Sequence, residues 1–318
     1  MRHKTFVLNG IAVTISLLSI FLVLFAPEIL SIFELWILAF SIVFVGIPHG
    51  ALDHLIAANV FQQGNRLKDH LIFYGWYLVL MVLIGGLWVV YPTLGLLLFL
   101  IISVLHFGQA DVEGFYHADN QVEGIRYLIN SVAVSRGILI IGLILTAFPD
   151  QVMPILEIAV GESSWFVMWL SNFTYVLKTL VLTQFIFIAL FFLFFSSLSQ
   201  KGKLFYAIDA FLITILFLTV PPLSSFAIYF ALWHSIGHIG EITSFFRELG
   251  QPLTLTGFYL RALPFSLVSF LGLGILLWIT QSFSLENQII SLTFVLISVL
   301  TLPHMVVAHQ LIQSNTQK

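Results

Sequence analysis

The sequence predicts an all-α, polytopic membrane bundle of about ten transmembrane helices, and three observations carry that prediction. The chain of 318 residues is 59% hydrophobic and only 8% charged, with a mean hydropathy of +1.05, where soluble domains carry about 25% charged residues. Apolar runs of roughly membrane-spanning length recur along the whole chain, separated by short polar or proline-containing breaks. The lysines and arginines of those breaks fall on one side of the alternating topology. Cysteine is absent, which excludes disulfides, thiolate metal sites, Fe–S clusters and a cysteine nucleophile. A net charge of −3 gives no reason to expect nucleic acid as a partner.

The spans follow in order. Residues 10–26 form an apolar run behind Arg2, His3 and Lys4. The flanks resemble a signal peptide, but no small-residue cleavage site is evident, so a retained first helix is expected. Residues 31–48 are the second span, after a turn at Pro27 and Glu28. A polar loop over 62–69 leads to the third span, 71–91, which Pro92 breaks before the fourth, 94–108. The fifth, 126–148, holds Arg136 within it. Residues 149–172 read as a longer, less regular connection whose Trp165 and Trp169 suit a membrane interface. The sixth span is 175–195 and the seventh 205–220, ended by Pro221-Pro222. The eighth is 225–245, the ninth 258–279 and the tenth 289–309, so that residues 1–318 form one integral membrane domain.

With ten spans, the N-terminus and the loops after even-numbered helices share one side. That side holds Arg2, Lys4, Arg66, Lys68, Arg126, Lys201, Lys203, Arg247 and Lys318, and the opposite loops hold no Lys or Arg. The positive-inside rule then places both termini in the cytoplasm of a multi-pass cell-membrane protein.

The histidines sort onto the same topology. His49 and His54 close the second span, His106 the fourth, His234 and His238 lie in the second half of the eighth, and His304 and His309 close the tenth. All are on even-numbered spans, so they share one depth near the cytoplasmic face. A single histidine at a membrane helix end is ordinarily an interfacial polar group. Several converging from four helices are the pattern of a metal centre inside a helical bundle. His3, His70 and His117 lie in the tail or loops and read as solvated.

Spacing narrows the choice. His234 and His238 are i and i+4 on one helix face, within reach of one ion. His49 and His54, like His304 and His309, are five apart, about 140° around an ideal helix, which does not suit one ion. Asp53, four residues after His49, could orient that imidazole through Nδ1–H. Glu241 extends the face of His234 and His238 and could complete a two-His, one-carboxylate triad. Its plainer reading is an interfacial carboxylate near Arg247.

Four motifs carry a resemblance: Pro48-His49-Gly50-Ala51-Leu52-Asp53-His54, His106-Phe107-Gly108-Gln109-Ala110-Asp111, Trp233-His234-Ser235-Ile236-Gly237-His238, and Pro303-His304 with His309. In this order they resemble the Brp/Blh family of membrane β-carotene 15,15′-dioxygenases. The resemblance implies O2-dependent cleavage of β-carotene, drawn from the bilayer, into two all-trans-retinal molecules. It implies an Fe(2+) centre held by His49, His106, His234 and His238. Asp53, His54, Asp111, Glu241, His304 and His309 then become supporting residues, and a functional link to a retinal-binding rhodopsin follows. No motif covers residues 149–172.

That chemistry suits the composition, since a polyene partitions into lipid and needs a tunnel lined by Phe, Leu and Ile. Phe107, Trp233 and Met305 adjoin the histidines and are candidate polyene contacts; helix–helix packing is the equal alternative for each. Other classes stay open. A membrane diiron desaturase or hydroxylase uses more histidines, in H-x-x-x-H and H-x-x-H-H clusters, whereas this chain has one H-x-x-x-H and no adjacent pair. A divalent-metal or proton transporter would line a path with its polar groups rather than gather them at one depth. A bis-His haem protein is the third alternative.

Overall fold

A computed structural model describes residues 2–60, 67–116, 123–196, 199–279 and 285–316. The sequence readings of residues 62–66, His117 and Lys318, and of the side chains of Arg2, His3, Lys4, His70 and Arg126, lie outside what is described. Every regular element among the described residues is helical. In chain order these are α1 (Arg2–Phe25), α2 (Pro27–Phe40), a π-helical turn π1 (Ser41–Gly46), α3 (Ile47–Gly50), α4 (Asp53–Val60), α5 (Leu67–Val90), α6 (Pro92–Tyr116), α7 (Glu123–Thr146) and α8 (Pro149–Val160). There follow α9 (Trp165–Phe195), α10 (Gln200–Thr219), α11 (Pro222–Tyr229), a second π-helical turn π2 (Phe230–Ser235), α12 (Ile236–Glu248), α13 (Leu255–Ile279) and α14 (Leu285–Thr316).

The helix boundaries have local causes. Prolines open α2, α6, α8 and α11, where the missing N–H is one the helix would leave unpaired anyway. Ser199 caps α10 by accepting from the Gly202 N–H at 3.2 Å. Gly161 (φ 90°) follows α8 and Gly250 (φ 74°) follows α12, in the left-handed conformation that favours glycine at a helix end. Inside the spans, Thr146, Thr174, Thr214 and Thr301 return their hydroxyls to the carbonyl four residues earlier, which satisfies them where lipid offers no partner. The outer surface is apolar, with Val89 83% and Phe194 79% exposed. Only a hydrocarbon environment makes such a surface stable.

Among the described residues eight helices are long and apolar enough to cross a membrane, so the expected count of ten is not reached there by that measure. The two missing spans are the first, whose described apolar part is the shorter helix Gly10–Phe25, and the eighth, which is divided into α11, π2 and α12. The second span is longer than expected. It does not stop at Pro48 but continues to Val60 through a π turn and a break at Ala51 and Leu52. Residues 149–172, read as irregular, are mostly helical: α8 and a tight turn at Gly161 fill the first part, and Trp165 opens the 31-residue α9.

The chain falls into two compact units. The first comprises Met1–Gly46, Ser103–Val152 and Trp169–Gly240. In it α2 packs along α11, α7 along α10, and π1 against π2. Its core includes Val112, Ile129, Val132, Ala133, Phe192 and Tyr206. The second comprises Ile47–Ile102, Met153–Met168 and Glu241–Lys318. There α14 packs on α4, α5 and α13, and Trp88 Nε1 donates to Ser298 Oγ at 2.8 Å.

Candidate metal centre

In the first unit the structure brings His106 and His234 together. Their rings meet edge-on with centroids 4.7 Å apart. His234 lies in π2, and its ring is enclosed on two further sides. Phe230 stacks on it at 5.6 Å and 17°, and Phe107 meets it edge-on at 4.7 Å. Phe226 stacks in turn on Phe230, so three rings spaced four residues apart form a ladder ending at His234. His238, one turn on in α12, is as buried as His234.

The neighbouring helix is shaped to receive π2. Gly46, the last residue of π1, lies against the Phe230 ring so closely that a Cβ there would collide with it. Ser41, the first residue of π1, donates its hydroxyl to the Ala227 carbonyl at 2.9 Å. From α2, Glu34 Oε1 accepts the Ser224 N–H near the start of α11 at 3.2 Å. Two π turns therefore face each other: one contains His234, and the other ends three residues before His49 in the sequence. π-Bulges are concentrated at functional sites because they re-aim a side chain without ending the helix.

Beside π2 runs a buried polar network. Arg136 Nε donates to Asp111 Oδ2 at 3.0 Å, and its terminal nitrogen to Asp209 Oδ2 at 2.6 Å. The other oxygen of each carboxylate takes an aromatic donor: Tyr229 OH to Asp111 Oδ1 at 3.0 Å, and Trp233 Nε1 to Asp209 Oδ1 at 2.7 Å.

In the second unit, His49 and His304 meet edge-on with ring centroids 4.9 Å apart. His304 Nδ1 is 2.9 and 3.0 Å from the two carboxylate oxygens of Asp53, and Tyr77 OH donates to Asp53 Oδ2 at 2.9 Å. This revises one expectation. Asp53 does not continue the His49 helix face, because the helix breaks at Ala51 and Leu52 between them, and its carboxylate is engaged by His304 and Tyr77.

The remaining predicted residues sort as follows. His54 contacts the Ala51 carbonyl through Nδ1 at 3.2 Å and packs its ring 4.4 Å from Phe265. Phe107 is 2% exposed and packs its ring among His234, Tyr229 and Phe230. Trp233 is anchored by Asp209. Glu241, Met305 and His309 are half-buried. An apolar groove of about 670 Å³ runs along α1, α2 and π1, lined by residues that include Ile29, Phe33, Trp36, Phe40 and Phe44.

A family model described as beta-carotene 15,15′-dioxygenase matches residues 40–312. The chain belongs to that family. It is similar to the beta-carotene 15,15′-dioxygenase of an uncultured marine bacterium, 66A03, at 24% identity over 277 residues, 85% of this chain and 91% of the relative. It is also similar to a probable beta-carotene 15,15′-dioxygenase, Blh, of Halobacterium salinarum, at 25% identity over 84% of this chain and 81% of the relative. No solved structure matches it. The chain is thus an enzyme of the carotenoid-cleaving dioxygenase class, embedded in a membrane.

The family resemblance implies iron, and the residues fit that ion in kind. His49, His106, His234, His238 and His304 are all between 2% and 7% exposed. Imidazole is a donor that suits a divalent first-row metal, and this chain has no thiolate to compete. The pairs His106–His234 and His49–His304 stand at ring distances that permit common ligation. Among the described residues no group of three or more His, Asp or Glu is arranged to hold an ion.

Sequence reading missed Arg136, Asp209, Tyr229 and Tyr77 as members of these clusters. The available signal was charge: Arg136 and Asp209 each interrupt an otherwise apolar span, and charges there ordinarily pair with one another.

Proposed function

We propose that this enzyme cleaves the central 15,15′ double bond of all-trans-β-carotene with O2, giving two all-trans-retinal molecules, at an Fe(2+) centre held by His49, His106, His234 and His238. The observation that carries the reading is the family match across residues 40–312. Burial of the four imidazoles supports it.

One alkene and one O2 balance two aldehydes, so the reaction needs no external reductant. Iron, when bound, would supply the activation of O2; the protein positions and shields. His234 is held in orientation by Phe230 and Phe107, which also keep water from it. The carboxylate of Asp53 holds the Nδ1 proton of His304 and fixes that ring beside His49. The apolar groove along α1 and α2 suits a ligand arriving from lipid. No nucleic acid enters the reading, and the retinal produced would supply a retinal-binding rhodopsin. The one-sided loop charges support cytoplasmic termini.

The test is expression in cells that accumulate β-carotene, with carotene and retinal measured by chromatography. Carotene is expected to fall and retinal to rise in a near two-to-one molar ratio. Unchanged carotene beside folded, iron-loaded protein would overturn the proposal.

A further inference from the structure

The ladder of rings explains what touches His234, but not what fixes the turn that carries it. A π turn closes with i→i+5 hydrogen bonds and holds one residue more than the α-helix, a geometry rare enough that the chain does not adopt it by default. Something outside the turn must set it. The side chains at either end of this turn are the two aromatic donors of the buried network. Tyr229 immediately precedes π2 and Trp233 lies inside it, next to His234.

We infer that Asp111, Arg136 and Asp209 are a positioning device for His234, with Arg136 as the clamp and Tyr229 and Trp233 as the two grips. The guanidinium is planar and carries its donors in a rigid fork. It binds one oxygen of Asp111 through Nε and one oxygen of Asp209 through a terminal nitrogen, at 3.0 and 2.6 Å. This fixes the two carboxylates relative to each other and leaves one oxygen of each for the turn. Tyr229 takes the first at 3.0 Å and Trp233 the second at 2.7 Å. Two grips four residues apart on one helical segment prevent both rotation about its axis and sliding along it. The next residue after the second grip is His234, whose ring is then directed at His106.

Stability alone does not account for such a network. A buried ion pair commonly contributes no more than apolar residues of the same volume, and its best-attested benefit is to specify register. The surroundings agree with a geometric role. Asp111 is on α6, Arg136 on α7 and Asp209 on α10, so three helices meet at the clamp. α6 and α7 approach so closely there that a Cβ at Gly108 would strike the Ala133 carbonyl, and one at Gly137 the Val104 carbonyl. The inference also reassigns Trp233, whose indole N–H is committed to Asp209, from polyene contact to positioning residue.

The inference rests on His234 being an iron ligand, and the test separates the two. Tyr229→Phe and Trp233→Phe each remove one donor and keep an aromatic ring; Arg136→Lys keeps the charge and loses the fork. Fe(2+) affinity of the purified protein in detergent and the electron paramagnetic resonance spectrum of its nitric oxide adduct are measured, with His234→Ala as reference. The expected result is an iron affinity at least tenfold weaker in the double variant, within the range seen when groups supporting a metal ligand are lost. An altered spectrum is expected in each single variant, with unchanged helical circular dichroism. Wild-type affinity and spectrum in both single variants, where His234→Ala loses iron, would overturn the positioning role. Iron retained in His234→Ala would instead overturn the ligand assignment. The single variants carry the decision if the double variant loses its fold.

Discussion

His304 donates its Nδ1–H to Asp53 at 2.9 Å, although 251 positions separate the two in the sequence. A carboxylate accepting at Nδ1 fixes that nitrogen as a donor and sets the orientation of the ring. The Tyr77 hydroxyl donates to the same carboxylate at 2.9 Å, so Asp53 is held from two helices at once. Asp53→Ala leaves a buried imidazole and a buried phenol without their acceptor. The expected cost is about 1–3 kcal/mol, that of leaving buried donors without their acceptor. Asp53→Asn keeps an acceptor and is expected to cost less. Thermal unfolding in detergent checks the order; equal loss in both variants would show that acceptance by the side chain is not what matters.

The proposed ligand set is tested by comparing His238, in the second half of the eighth predicted span, with His309, which closes the tenth. His238→Ala is expected to lower bound iron at least tenfold, because one of four imidazoles is lost. His309→Ala, at a half-buried position, is expected to keep it. Metal analysis of the two purified proteins decides the matter, and the reverse pattern would mean that the ligands are wrongly chosen. Chelation followed by Fe(2+) addition should abolish and then restore retinal formation, while Mg(2+) should not restore it, since imidazoles favour the transition ion.

The crossing of α6 and α7 offers a prediction that does not depend on any metal. Gly137 has no room for a side chain, because a Cβ there would lie inside the Val104 carbonyl. Backbone cannot yield as the end of a flexible side chain can. Gly137→Ala is therefore expected to cost 1–3 kcal/mol or more, at about the level of core overpacking. It should also separate Arg136 from Asp111, which are now 3.0 Å apart. Unfolding midpoints of Gly137→Ala and of Gly86→Ala, where a Cβ meets open space, give the comparison; similar midpoints would refute the close crossing.

Much of this was legible in the sequence, for a simple reason. Lipid demands long apolar runs, and eight helices of the kind predicted are present among the described residues. The segment holding His234 and His238 fails as a plain span because it carries His234, His238, Glu241 and Arg247; its π turn is not the reason, since the second span also holds one and is still long and apolar enough. A π turn has no signature in hydrophobic periodicity, because tertiary contacts such as Ser41 to Ala227 and Gly46 on Phe230 hold the extra residue. The partner of Asp53 was equally hidden. Sequence distance favoured His49, four residues away, but the helix breaks between them and the carboxylate meets a histidine from α14. Arg136 and Asp209 were visible as charges in apolar spans, but nothing local could say that they meet.

The π turn itself can be tested by removing its extra residue. Deleting Leu232 shortens the path from Tyr229 to His234 from five residues to four and lets the segment become a regular α-helix. A π turn closes with i→i+5 hydrogen bonds where an α-helix closes with i→i+4, so five residues through the bulge and four through a regular helix both leave His234 over Tyr229. The spacing of His234 and His238 is untouched. If the grips on Asp111 and Asp209 aim His234, the protein should still insert, show full helical content, because an α turn is the intrinsically favoured geometry, and keep its iron. The Tyr229 grip and the His234 ring keep nearly the same relative direction, so iron content should stay near that of the wild type. Loss of iron in a deletion variant with full helical content would mean that the extra residue itself aims His234, and not the two grips.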